Sequence, residues 1–94
     1  MRAAASFLWG TATAGHQVEG SNVAADIWLL EQVRETRFAV PSGDACDSLN
    51  RWQEDIAIVK ALGLNAYRFS VEWSRIEPAR GQFSRAWLDH YARV

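Results

Sequence analysis

Apolar residues recur at three- and four-residue steps over one stretch of the chain: Leu49, Trp52, Ile56, Val59 and Leu62. That spacing lines one face of an α-helix over about residues 48–62, with Arg51, Glu54, Asp55 and Lys60 mostly on the other faces. Asp47 or Ser48 can cap its start, and Gly63 sits where a left-handed residue ends a helix. The run that follows, "NAYRFSVEW", alternates instead. Tyr67, Phe69, Val71 and Trp73 fall on one face, and Ala66, Arg68, Ser70 and Glu72 on the other. This predicts a strand over about 65–73 whose apolar face packs on helices and whose small, polar face suits a site. Near the start, Phe7 to Thr13 combines aromatic, small and β-branched residues and reads as a first strand, about 7–13. Gly10 inside it marks a close approach by another backbone or a ligand. About 84–94 reads as the start of a last helix, with Ser84 as N-cap and Phe83 and Leu88 at the spacing of a hydrophobic staple.

Between the first strand and the first long helix lie more than thirty residues without one sustained period. "DIWLLEQV" offers one or two helical turns with Asp26 as a cap, and Pro41, Ser42 and Gly43 read as a turn. Loops of this size are usually functional or disordered. The order strand, long loop, helix, tight turn, strand, loop, helix is a βαβ unit, which builds parallel sheet. The loops after both strands are long, and in α/β folds that side carries the chemistry. His16, Gln17 and Glu19 follow the first strand there, and Glu72 and Trp73 end the second.

Composition narrows the partners. The chain has 94 residues, enough for one small domain, and a net charge of −1. A near-neutral balance argues against nucleic acid or an anionic membrane as a partner, and no apolar run approaches a membrane span. Cys46 is the single cysteine, which excludes an internal disulfide and fits a reducing, cytoplasmic location. The opening "MRAAASFLWGTATAG" has the Arg2 and the Ala12-to-Ala14 pattern of a secretory leader, but Ser6 breaks its short apolar core. "GDACD" holds two aspartates and a cysteine without histidine spacing, a poor metal site. Five tryptophans serve equally as core or as sugar platforms; Trp52 belongs to the helical stripe, while Trp9, Trp28 and Trp73 stay open.

The stretch "FLWGTATAGHQVEGS" resembles the N-terminal signature of family 1 glycoside hydrolases, the β-glucosidase-like enzymes. Phe7, Trp9, Gly10, Ala12, Ala14, Gly15, His16, Gln17, Glu19 and Ser21 each satisfy it. "GDACD", "EDIAIVKALGLNAYRFSVEWSRIEP" and "LDHYARV" are similar to the same family, in the same order. Two stretches depart. "SLNRW" stands where the family often has His-Tyr-His-Arg-Tyr, and "DIW" where it usually has Ser-x-Trp-Asp. Both bear on substrate preference and packing more than on reaction type.

The resemblance implies an α/β fold, the first β-α-β-(α) quarter of a (β/α)8 barrel, and retaining hydrolysis of β-linked glycosides. That chemistry needs water and two carboxyl groups about 5–5.5 Å apart, and no cofactor. The family carries those groups in a Thr-x-Asn-Glu-Pro motif and an Ile/Val-Thr-Glu-Asn-Gly motif, neither of which occurs here. The expectation is therefore a sector with no catalytic residue of its own, inactive alone and needing the rest of the barrel in cis. Gln17 matches a glutamine that hydrogen-bonds hydroxyls of the non-reducing sugar, where an amide both donates and accepts; its alternative role is to stabilise the loop. Arg68 matches an arginine beneath the nucleophile, holding that carboxylate ionised; its alternative is an ion pair to Glu19, Glu72 or another carboxylate. Glu19 reads as a scaffold partner and His16 as a packed loop histidine. Glu19 and Glu72 as the catalytic pair is a minor reading, since nothing in the sequence sets their acidities apart.

Two rivals stand beside the barrel sector: a non-catalytic carbohydrate-binding or interaction module, and an unrelated small α/β domain. A two-stranded parallel sheet leaves both edges open and its faces uncovered. Poor folding in isolation is expected, with Trp52, Tyr67, Phe69, Trp87 and Tyr91 exposed to association.

Overall fold

A computed structural model of the chain describes residues 7–94. The first six residues of the leader-like start, Met1–Ser6, lie outside that span. The elements run β1 (Gly10–Ala12), α1 (Gly15–Val18), α2 (Asp26–Gln32), α3 (Ser48–Ala61), β2 (Ala66–Arg68), α4 (Trp73–Ile76) and α5 (Arg85–Arg93). β1 and β2 pair in parallel, with Gly10 opposite Ala66, Thr11 opposite Tyr67 and Ala12 opposite Arg68.

Both strands are shorter than the alternation predicts, and Asn65 explains one end. Its side chain accepts the Trp9 N–H at 2.7 Å and donates to the Phe7 carbonyl at 2.9 Å. Residues 7–9 are thus held by the Asn65 side chain together with its backbone N–H, which donates to the Trp9 carbonyl at 2.9 Å. At the other end the Thr13 N–H donates to the Arg68 carbonyl at 2.9 Å, and pairing stops there. β2 ends at Arg68 where 65–73 was expected, because Glu72 is already the N-cap of α4. The apolar face of that stretch is not covered by helices as expected: Phe69, Val71 and Trp73 are 39%, 48% and 57% exposed.

The long helix was expected over about 48–62 and spans Ser48–Ala61, with a kink at Arg51, where φ −108° and ψ 17° leave the helical region. Leu49, Trp52, Ile56 and Val59 are partly buried along one side, while Leu62 at the end is open. The helix closes in a Schellman arrangement: the Gly63 N–H donates to the Lys60 carbonyl at 3.0 Å and the Leu64 N–H to the Val59 carbonyl at 3.3 Å. Gly63 has φ +77°, which a side chain would resist. Asp47 is the N-cap, although its carboxylate takes the Asn50 amide at 2.9 Å and no helical N–H. In α2 the cap is Ala25, and Asp26 is the first helical residue, accepting the Ile27 N–H at 2.8 Å.

Ser84 caps α5 as its position predicts, accepting the Trp87 N–H at 3.3 Å. In a folded protein carrying this segment, Ser84→Ala should cost about 1 kcal/mol, read as a lower urea midpoint at unchanged slope. Among the described residues the buried apolar side chains are Ala25, Ile76 and Tyr91. Tyr91 thus departs from the expectation that it lies exposed, while Trp52, Tyr67 and Trp87 are partly buried. Large apolar side chains elsewhere remain open, among them Leu8, Val40 and Ile58. Among the described residues no helix is long and apolar enough to cross a membrane.

Candidate functional site

The loops that leave β1 and β2 meet, and the polar side chains they carry are buried together. Glu19, Asn22 and Glu31 are all buried, with Ser48 beside them. A buried carboxylate is costly unless its oxygens find partners; most of these polar atoms find them in two sets, while Glu19 Oε1 and Asn22 Oδ1 have no hydrogen-bond partner.

The first set starts at Glu31 in α2. Its Oε2 accepts the Ser42 N–H at 3.1 Å and the Ser42 hydroxyl at 3.0 Å, and its Oε1 lies 2.6 Å from His16 Nε2. Burial pushes this carboxyl up, but the Ser42 N–H, His16 and the Ser42 hydroxyl outweigh it and hold Glu31 below its ordinary range. His16 Nδ1 faces the Asn22 amide at 3.3 Å, and the same Asn22 Nδ2 donates to Glu72 Oε2 at 3.1 Å. Glu72 uses its other oxygen to accept the Ser74 hydroxyl at 2.9 Å and the Ser74 N–H at 3.4 Å, opening α4.

The second set centres on Glu19. The Tyr91 hydroxyl donates to its Oε2 at 2.8 Å, and Arg75 Nε lies 3.8 Å from Oε1. Arg75 also donates to the Gly20 carbonyl at 3.0 Å and stacks its guanidinium 5.0 Å from the Trp87 ring centre. Burial raises the Glu19 carboxyl above its ordinary range, aided by the charge of Glu72; the Tyr91 bond and Arg75 pull the other way without reversing it.

Gln17 sits between the two sets, on the single turn of α1, with its side chain exposed. Arg68, at the end of β2, is exposed and donates from Nη2 to the Thr13 carbonyl at 3.3 Å. The ion pair that was its alternative role does not form with Glu19 or Glu72, which are engaged by Arg75 and Tyr91, and by Asn22 and Ser74. The structure brings His16, Gln17, Glu19 and Glu72 to one region and leaves Arg68 at its edge. In "GDACD", Asp44 takes the Ser21 hydroxyl at 3.3 Å and Asp47 the Asn50 amide, so both serve turns. Trp9 lies against Phe7 with ring centres 4.7 Å apart, and the exposed Trp73 donates to Glu77 at 3.0 Å.

Asn22, Glu31, Arg75 and the hydroxyl of Tyr91 are the residues that sequence reasoning missed. Glu31 and Arg75 sit on the short helices α2 and α4, where no sequence period marks a buried face and a charged residue reads as solvent-facing. Tyr91 reads as apolar because it shares the Trp87 face of its helix.

Chemically, these buried carboxylates are spent on holding loops. Apart from Glu19 Oε1, their oxygens accept hydrogen bonds from protein donors. A cavity of about 20 Å³, room for about one water, lies among Thr13, Gly15, Trp52, Tyr67 and Tyr91. It is far too small for a sugar.

The chain matches the model of glycosyl hydrolase family 1 over residues 2–94. It is 45% identical over 95 residues to β-glucosidase A of Thermotoga maritima, covering 94% of this chain and 21% of that protein. With the cytosolic β-glucosidase of Homo sapiens it shares 38% over 99 residues, 96% of this chain and 21% of that one. Among solved structures, β-glycosidase BGL167 superposes with a TM-score of 0.89 at 63% identity, over 93% of this chain and 21% of that one. The chain therefore spans about a fifth of the length of the relatives it matches.

Proposed function

This chain belongs to glycosyl hydrolase family 1, and from that premise we propose that it forms one sector of a (β/α)8 barrel that hydrolyses β-linked glycosides with retention. The observation that carries this reading is the match over residues 2–94 to proteins about five times as long. Two parallel strands with site-bearing loops at one end, and an apolar face left open, support it. The sector supplies glycone contact through Gln17, whose amide can donate to one hydroxyl and accept from its neighbour. Arg68 supports the nucleophile from below, its guanidinium favouring the ionised carboxylate.

The acid and the nucleophile come from other strands of the barrel. Glu19 and Glu72 do not take those roles, because Tyr91 donates to the first, and Asn22 and Ser74 donate to the second. The substrate is a β-glycoside, with no nucleic acid or membrane partner and no cofactor, and the rest of the barrel acts in cis. Cytoplasmic location fits the free, exposed Cys46.

Two measurements test the reading. The 94-residue chain alone should show no turnover of an aryl β-glucoside. A chimaera in which it replaces the matching fifth of T. maritima β-glucosidase A should hydrolyse that substrate and release the β-anomer first, read by proton NMR. In the chimaera, Gln17→Ala should lower kcat/KM about 10–100-fold, the loss of two hydroxyl contacts. Robust turnover by the chain alone that Glu19→Gln or Glu72→Gln abolishes would overturn the proposal.

A further inference from the structure

We propose that Asn22 and His16 are positioning residues that aim Gln17, an inference that rests on the glycone role given to Gln17 above. Asn22 is 2% exposed, and its Nδ2 serves two neighbours, His16 Nδ1 at 3.3 Å and Glu72 Oε2 at 3.1 Å. An amide nitrogen carries two hydrogens and can satisfy both. A carboxylate only accepts, so the nitrogen of Asn22, not its oxygen, faces Glu72. The same nitrogen then faces His16, which makes Nδ1 the acceptor and leaves the ring hydrogen on Nε2. That hydrogen lies on the 2.6 Å contact to Glu31 Oε1. Glu31 is itself fixed by the backbone and hydroxyl of Ser42. One orientation of one amide therefore sets the tautomer of His16 and ties α1 to α2, to α4 and to the long loop.

Gln17 follows His16 directly. α1 is four residues, Gly15–Val18, too short to hold its own geometry. Its orientation comes from its anchors: His16 on one side and Glu19, bonded to Tyr91, on the other. The exposed Gln17 amide points wherever that turn points. A misplacement of about 1 Å in a binding group costs far more than the disturbance that caused it.

The test uses the whole-barrel chimaera. Asn22→Asp keeps the shape of the side chain and removes both donated hydrogens. It should raise KM for an aryl β-glucoside about 10-fold with kcat changed less than about 2-fold. Asn22→Ala should do the same, and the Gln17→Ala/Asn22→Ala double variant should be no worse than Gln17→Ala alone. His16→Ala should raise KM in the same way, and His16→Gln, which keeps a donor for Glu31 and an acceptor for Asn22, should recover part of that loss. Thermal midpoints accompany each variant, so that a folding defect in one leaves the others to decide. Additive losses in the double variant, or an Asn22→Asp protein with the parent KM, would overturn the inference while leaving Gln17 in place. A silent Gln17→Ala would instead remove the glycone reading, and this one with it.

Discussion

Gly10→Ala is expected to abolish the folded barrel. A Cβ at this position would stand 2.7 Å from the Ala66 Cβ and closer still to the Ala66 carbonyl oxygen. Both belong to the partner strand directly opposite, so no flexible side chain can move aside. Relief requires separating β1 from β2, the one strand pair described here. The cost is about 3 kcal/mol or more, the upper end for an overpacked methyl group. In the chimaera this should appear as loss of soluble, active protein at 37 °C. A soluble variant with the parent urea midpoint would show that the strands do not pair in this register.

The second large effect concerns Tyr91. Tyr91→Phe leaves Glu19 Oε2 buried without its donor, a loss of about 1–3 kcal/mol near pH 8. The Tyr91 hydroxyl is pushed well above its ordinary value of 10.0, first by burial, then by its bond to Glu19 and that carboxylate's charge. Folded Tyr91 keeps its proton where an unfolded tyrosine has released it. Its stabilising contribution is therefore whole below pH 10 and drains away as pH climbs through the raised value. Phenylalanine has no proton to lose. The variant should thus begin less stable than the parent and decline less steeply above pH 10. Urea midpoints of the two proteins at pH 8, 10 and 11 measure this. Parallel curves across that range would mean that the hydroxyl is not buried against Glu19.

How much of this was readable beforehand depends on whether a feature repeats. The α3 stripe repeats four times, so its helix is plain from Leu49 onward, and Gly63 marks its end without ambiguity. Ser84 is legible for the same reason, as a cap before an amphipathic run. Gly10 announced a close approach, and Ala66 proved to be what approaches. Strand ends were overestimated because alternation continues through Phe69, Val71 and Trp73 after the backbone has left the ladder to begin α4. No period can reveal α1 or α4, each a single turn of four residues.

The site divides along the same line. Gln17 and Arg68 stand out through a resemblance, and Glu19 was expected to be scaffold, a reading in keeping with its bond to Tyr91 and the Arg75 guanidinium 3.8 Å away. The partners themselves were hidden. Glu19 and Tyr91 are 72 residues apart, and Asn22 and Glu72 are 50 apart. Nothing local links such pairs, and a buried polar residue in a loop has the same letter as a solvated one.

The parallel pairing has a consequence during synthesis. Trp9 depends on Asn65, which is added 56 residues later. At roughly 5–20 residues per second, the ribosome keeps Phe7, Leu8 and Trp9 waiting about 3–11 s for the amide that secures them. Through that interval the backbone at Phe7 and Trp9 lacks every hydrogen bond that Asn65 later supplies.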